Sequence, residues 1–383
     1  MHAPRFVLTS ALALLGCTAN GADRRAPDAQ DPPFRIEPLG QFSMPWAMVF
    51  LPGGRQALVT EKRGTLKLWT QGGAAIDVAG VPNVDYGGQG GLGDVILHPE
   101  FASNGLVYLS FAEAGEGDNR GAAVGRGRLV VDGNAARLDG FQVIWRQQPK
   151  MSGRGHYGHR LAFSPDGRYL YISSGERQEF TPAQDMNANL GKILRLNPDG
   201  SVPADNPFAD RGGVTAQIWT LGHRNPLGIA FAPDGKLWEV EMGPAGGDEM
   251  NLIERGLNYG YPRASNGDHY DGRDIPDHRP GDGFEAPKVT WTPVISPGDM
   301  IIYTGSLFPQ WQGDALVAGL SGEALVHVDI DGSNAREAHR YAMEHRIREV
   351  EEHPDGSIYL LEDQNEDGGG RLLRLVPTGR QRD

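Results

Sequence analysis

Residues 155–174 read Gly-His-Tyr-Gly-His-Arg, followed by Leu-Ala-Phe-Ser-Pro-Asp-Gly-Arg-Tyr-Leu-Tyr-Ile-Ser-Ser. The second part is two apolar runs around Pro165, Asp166 and Gly167. Proline presets the first turn dihedral and glycine supplies the positive φ that follows, so the segment reads as a β-hairpin. The first part is a polar, glycine-punctuated loop that delivers two imidazoles and a guanidinium to the start of that hairpin. Glycine at 155 and 158 frees the backbone, so the loop can hold His156 in a cleft. His156 is then either a catalytic base or a histidine that satisfies buried polar groups at a strand end.

The strand–turn–strand pattern recurs along the chain. It covers 47–69 with its turn at 51–54, 93–113 with its turn at 98–100, and 161–174 continuing through 192–196. It covers 228–242 around Pro233-Asp234-Gly235, then 300–330 with Phe308, Pro309 and Trp311 at the turn, and 349–361 around Pro354-Asp355-Gly356, closing on 371–376. These six units cannot each bury both sheet faces alone, and such units stack radially. The sequence therefore predicts an all-β, six-bladed β-propeller, with 34–39 adding a strand to the last blade and closing the ring. A β-sandwich competes but does not explain the similarity between units. Turn-to-turn spacing lengthens after Pro99, which places insertions at the rim, over the central channel. No long 3.6-residue stripe is present, so helix should be sparse.

Composition agrees. Gly 54 and Pro 27 of 383 residues punctuate apolar runs as turn residues. A formal charge of -13 excludes a phosphate-backbone partner, because nucleic-acid binders need a basic face. The first residues read as an export signal: Arg5, an apolar core at 7–15, and Leu14-Leu15-Gly16-Cys17, a lipobox-like end at the sole cysteine. The alternative is an ordinary cleaved signal with an incidental cysteine. The expected organisation is a lipoprotein signal peptide at 1–16, a flexible tether at 17–33 and one catalytic propeller domain at 34–383, periplasmic and anchored to the outer membrane through Cys17. No other stretch is apolar enough to span a bilayer.

Further polar clusters fall between strands. Gln89 lies within Gly87-Gly88-Gln89-Gly90-Gly91, Arg224 and Asn225 follow Gly222-His223, and Gly243-Pro244 opens a loop to Asp248-Glu249. Arg346 and Arg348 alternate across Ile347 and share one side of a strand. Taken singly, each reads as surface charge or a plain turn. Together they suit an anionic planar ligand, since guanidinium forks match carboxylates. The oxygens of a glycine-rich loop suit Ca²⁺. A transition metal on His156, His159 and His223 is the competing arrangement.

In fixed order these motifs resemble the soluble, pyrroloquinoline quinone (PQQ) dependent aldose sugar dehydrogenases, related to soluble quinoprotein glucose dehydrogenase. The resemblance rests on Gln89 with 91–94 and His98-Pro99, His156 with Arg160-Leu161, and Gly222-His223-Arg224-Asn225-Pro226. It continues through Gly243-Pro244, Asp248-Glu249, Asn251-Leu252-Ile253, Asn258-Tyr259-Gly260, Arg346-Ile347-Arg348 and the last Pro-Asp-Gly. It implies a six-bladed propeller that oxidises the anomeric carbon of aldoses and passes electrons to an external acceptor. It implies that His156 is the general base, oriented by Glu176, and that Arg224 stabilises charge on the quinone. Gln89, His156, Arg224, Asn225, Tyr270, Arg346 and Arg348 would contact PQQ, Gly243 and Pro244 the Ca²⁺ beside it, and Glu249 with Tyr259 a second Ca²⁺. The chain departs at two positions: His159 stands where glycine is common, and Ser321 where many members have a cofactor-binding lysine. Two rival functions remain at this stage: a Ca²⁺-dependent hydrolase such as a lactonase, and a non-catalytic propeller that binds a carbohydrate or a protein.

Overall fold

The Pro-Asp-Gly segments at 165–167, 233–235 and 354–356 are the turns of the structure. In the computed structural model, which describes residues 31–363 and 369–379, they join Gly158–Phe163 to Leu170–Ser174, Pro226–Phe231 to Leu237–Glu241, and Ile347–Glu352 to Ile358–Glu362. Gly167, Gly235 and Gly356 take φ of 70, 86 and 83°, the left-handed backbone that the turn demands. The export signal, Cys17 and the tether up to residue 30 lie outside the described residues.

Among the described residues, strand pairing gives four four-stranded sheets and one eight-stranded sheet. The eight-stranded sheet is two antiparallel meanders. One comprises Pro45–Phe50, Gln56–Glu61, Thr65–Thr70 and Ala75–Ala79; the other comprises Leu92–Leu97, Leu106–Ala114, Arg120–Asp132 and Ala135–Arg146. They join through a short parallel pairing, Val78 with Ala136 and Ala79 with Arg137. Meanders led by Gly158–Phe163, Pro226–Phe231 and Pro297–Ile302 form the next three sheets. In the last, Ile347–Glu352, Ile358–Glu362 and Gly370–Pro377 are completed by Phe34–Phe42, so the first strand of the chain hydrogen-bonds the last. Among the described residues, helix is confined to one turn at Phe101–Asn104 and short 3₁₀ segments.

The leading strands of these meanders touch in succession, and Ile347–Glu352 touches Pro45–Phe50. Each carries a register shift near its start. Such a bulge inserts an extra residue and re-aims side chains. Trp46, His159, Leu227 and Arg348 stand at four of these bulges and line one cavity. Apolar side chains fill the space between neighbouring sheets: Tyr108 and Val124 pack with Leu161 and Leu194, and Met48 and Val59 pack with Tyr359 and Leu372. Beneath the bulges, buried Arg160 pairs with Glu349 at 2.6 Å, Asp94 at 3.4 Å and Asp299 at 3.5 Å. It also donates to the carbonyls of Leu227 and Gly298. One guanidinium thus ties five leading strands together.

Candidate active site

His156 precedes the strand Gly158–Phe163 with φ of 46°, a left-handed conformation that non-glycine residues keep only when their surroundings impose it. Its N–H donates to Gln89 Oε1 at 2.7 Å, and its carbonyl accepts from the Arg177 N–H at 3.2 Å. The Arg177 guanidinium, over the Tyr157 ring at 3.9 Å, clamps the loop through the carbonyls of Gly153, Gly155 and Arg120. His156 Nδ1 lies 2.5 Å from Oε1 of fully buried Glu176, whose Oε2 accepts the Phe180 N–H at 2.8 Å. The carboxylate fixes the proton on Nδ1 and leaves the Nε2 lone pair free to act as a base. Burial lowers the His156 pKa against the opposing pull of Glu176, so the ring is neutral at pH 7.

Arg224 donates to the carbonyls of Met242 at 2.9 Å and Gly243 at 2.6 Å and to the Tyr270 hydroxyl at 3.3 Å. Tyr270 is otherwise exposed. His156, Arg224, Pro244, Tyr261 and Tyr270 line a cavity of about 200 Å³. A larger one of about 590 Å³ is lined by Gln89, Asn225, His159, Arg346 and Arg348, among others. The two abut where Gln89 holds the His156 backbone and where Arg224 is followed by Asn225.

The larger cavity is strongly cationic. Among the described residues, Lys62, Arg63, Arg346 and Arg348 face a single lining carboxylate, Asp363. Asp363 Oδ2 accepts from Arg346 at 3.3 Å and from Arg348 at 2.6 Å. The buried Nε atoms of Arg346 and Arg224 have no partner, although buried donors are almost always satisfied. A small, multiply charged anion with carboxylates fits this donor set, as PQQ would. Sequence reasoning singled out neither Lys62 nor Asp363. The available signal was Glu61-Lys62-Arg63-Gly64 directly after an apolar strand. Ser321 hydrogen-bonds Ser296, a cavity residue, at 2.7 Å.

His159 is a different kind of histidine. Nδ1 is 2.7 Å from Ser110 Oγ and the ring stacks on Trp46 at 5.0 Å. Burial and the surrounding guanidinium charges push its pKa down to about 3, so it stays neutral. The arrangement of His156, His159 and His223 as a metal triad is not found. Among the described residues, the clusters of metal-ligating side chains are His223–Glu239–Glu241 and Asp314–His327–Asp329.

The expected calcium residues divide between two places. Gly243 donates its N–H to Asp248 Oδ1 at 2.8 Å, and a Cβ there would meet the Gly246 and Gly247 carbonyls, so only glycine fits this oxygen-rich turn. Glu249 lies in a buried acidic patch, opposite Glu241 across two paired strands and beside the Glu239–Asn251 pair. Asn251 Nδ2 bridges Glu239 at 3.1 Å and Glu249 at 3.3 Å. Glu239 Oε1 and Asn251 Oδ1 are buried with no partner. Burial, with Glu241 close by, raises the pKa of both Glu239 and Glu249 well above the carboxylate range. Orphaned oxygens and crowded carboxylates are the donor set of a hard cation. The Tyr259 hydroxyl is engaged by the Leu252 carbonyl at 2.5 Å, so only its main-chain oxygen remains as a ligand. Sequence reasoning missed Glu239, Glu241 and Asn251. The alternation Trp238-Glu239-Val240-Glu241, which puts two acids on one face of an apolar strand, was the readable sign.

Residues 42–374 match the family model described as glucose / sorbosone dehydrogenase. The aldose sugar dehydrogenase YliI of Escherichia coli (strain K12) is 39% identical over 340 residues, covering 87% of this chain and 90% of that protein. The crystal structure of the soluble aldose sugar dehydrogenase from Escherichia coli in its apo-form superposes with a TM-score of 0.84 at 38% identity, covering 90% of this chain and 99% of the other. The PQQ-bound aldose sugar dehydrogenase of Streptomyces coelicolor superposes with a TM-score of 0.74 at 28% identity, covering 92% and 99%. The fold, the histidine–glutamate pair and the cationic cavity thus stand in a chain that belongs to the glucose/sorbosone dehydrogenase family.

Proposed function

We propose that this protein oxidises the anomeric carbon of aldose sugars to lactones with PQQ and Ca²⁺, on a single six-bladed propeller at 34–383. The succession of six leading strands, with the last against the first, supports the propeller. The observation that carries the function is the His156–Glu176 contact of 2.5 Å in the wall between a small cavity and a cationic one.

When bound, the quinone supplies a carbonyl carbon that accepts the hydride leaving the sugar C1. His156 Nε2 takes the proton of the C1 hydroxyl, so the substrate loses one hydride and one proton and becomes the lactone. Glu176 holds the imidazole in the productive tautomer and stabilises the positive charge that the proton brings. Arg224, with Nε free, and Asn225 reach towards the cofactor between the two cavities, and Tyr270 closes over Arg224. Gln89 positions His156 and offers its amide to the same ligand. Arg346 and Arg348, braced by Asp363, hold carboxylates. The Pro244 carbonyl, and the Gly243 carbonyl through the lone pair that Arg224 leaves open, would bind the Ca²⁺ beside the cofactor. Glu249, the Tyr259 carbonyl, Glu239 and Glu241 would bind a second, structural one. Paired guanidiniums favour an anionic cofactor over the neutral lactone that a hydrolase would take. Electrons leave to an external acceptor. The lipobox-like Leu14-Leu15-Gly16-Cys17 supports a periplasmic enzyme on a Cys17 lipid anchor.

The test is to add PQQ and Ca²⁺ to purified protein and assay aldose-dependent reduction of a redox dye. Activity that requires both additions and disappears in His156→Ala supports the proposal. Absence of cofactor-dependent activity with every aldose tried refutes it.

A further inference from the structure

The larger cavity contains two groups that the proposed function leaves without a role, Lys62 and His159. Lys62 follows the strand Gln56–Glu61 and is fixed on both sides of its backbone: its N–H donates to the Met44 carbonyl at 3.0 Å, and its carbonyl accepts from the Leu92 N–H at 3.0 Å. A Cβ on Gly91 would lie 2.1 Å from the Lys62 carbonyl oxygen and 2.9 Å from Lys62 Cγ, so the side-chain stem is seated against that glycine. Nζ then reaches the Gly88 carbonyl at 2.7 Å, in the loop whose Gln89 holds His156. One carbonyl satisfies one of three ammonium donors. Among the described residues that line it, the cavity has more cation than anion.

His159 stands at the bulge of its leading strand, as Arg348 does on another. Ser110 Oγ accepts the Asp94 N–H at 2.7 Å and lies 2.7 Å from His159 Nδ1. With one Oγ lone pair taken by Asp94, the serine hydroxyl can donate to Nδ1, the arrangement that leaves the ring proton on Nε2. A Cβ on Gly93 would lie within 2.2 Å of Nδ1 and Cε1, so that edge is packed and the Nε2 edge is left for the cavity. Stacking on Trp46, with the ring planes 11° apart, holds this orientation. His159 is thus a held, neutral group that lines the same cavity as the cations Lys62 and Arg348.

We propose that Lys62, His159 and Arg348 form a carboxylate-binding subsite of the larger cavity, with Lys62 and the His159 Nε2–H as donors to one carboxylate of the quinone cofactor. This rests on the proposed function for the identity of the ligand. Geometry alone assigns an anion, because N–H donors from three different strands or strand ends line one cavity with the half-buried Asp363 as the counter-charge among its described lining residues.

The test measures binding rather than turnover, by fluorescence titration of the cofactor-free protein with PQQ in the presence of Ca²⁺. Lys62→Met should weaken PQQ roughly tenfold or more, as expected for losing a charge-assisted hydrogen bond, and should flatten the salt dependence of binding. Lys62→Arg should restore most of the affinity. His159→Phe, which keeps a ring against Trp46, should weaken it about threefold or more. Ser110→Ala, which frees the tautomer, should produce a smaller loss in the same direction. Lys67→Met, which removes one positive charge from the exposed pair with Asp77, should bind as the parent does. Melting temperatures check that each variant is folded. Lys62→Met or His159→Phe binding within twofold of the parent overturns the role of that residue, while parental binding itself leaves the proposed function standing. A parent that does not bind PQQ overturns both.

Discussion

Replacing Glu239 by glutamine should make the protein more stable without calcium and less stable with it. Glu239 is fully buried, lies near Glu241 and Glu249, and has one carboxylate oxygen without a donor. In calcium-free protein burial and the neighbouring Glu241 disfavour the Glu239 charge, so folding must either hold that charge in a poorly solvated place or take up a proton, and an amide avoids both costs. The amide oxygen left by Glu239→Gln can still accept from Asn251, which preserves the strand pair. With calcium the sign reverses, because a ligand has been removed. For the parent, calcium at a hundred times its Kd adds about 2.7 kcal/mol. A folded unit of about 350 residues has an unfolding entropy near 0.7 kcal/mol/K, so Tm should rise by about 4 °C. If the substitution weakens calcium a hundredfold, the same concentration adds only about 0.4 kcal/mol, less than 1 °C. Differential scanning calorimetry with and without chelator reads both numbers. A variant that melts below the parent in chelator yet keeps the full calcium shift refutes the assignment.

Other predictions follow from the same geometry. Glu176→Gln should lower kcat by about 10² to 10⁴-fold in reconstituted enzyme while changing PQQ binding little, because it removes the orientation and charge support of the base; stopped-flow and titration separate the two. PQQ affinity should weaken as pH rises through about 8, where Lys62 loses its proton: burial lowers its pKa to about 8, Arg348 and Arg346 add to this and Asp363 opposes it. Neutral His159 and ionised Asp363 keep their charge states across that range, so Lys62→Arg should abolish the pH dependence. Arg160→Met should cost about 3–5 kcal/mol in a denaturant titration, since it strands Asp94, Asp299 and Glu349 as uncompensated buried acids.

Much of the fold was legible because its signals are local. Pro-Asp-Gly turns need only a few residues to declare themselves, and each one sits between paired strands in the structure. The pairing of 34–39 with the end of the chain followed from closure, although the strand runs on to Phe42. The side-by-side joining of the first two meanders through Val78 and Ala136 had no local sign, because it depends on where two edges happen to meet. At the site, His156, Gln89 and Arg224 were singled out from loop chemistry and order, and Glu176 only through the family resemblance. Lys62, Asp363, Glu239 and Asn251 were not, because each acquires its meaning from burial beside groups far away in the chain. His159 shows the limit most clearly: its tautomer and neutrality are set by Ser110 and Trp46, neither of which its own sequence neighbourhood contains.

The central claim is that His156 is the base for sugar oxidation by a bound quinone. The most direct measurement is a single turnover: protein loaded with PQQ and Ca²⁺ is mixed anaerobically with glucose, and quinone reduction is followed by absorbance for the parent and His156→Ala. The account predicts rapid reduction in the parent, slowed when C1 carries deuterium, and a loss of at least about a hundredfold in the variant at equal PQQ occupancy. Equal reduction rates for parent and variant, or a loaded parent that no aldose reduces, would contradict it.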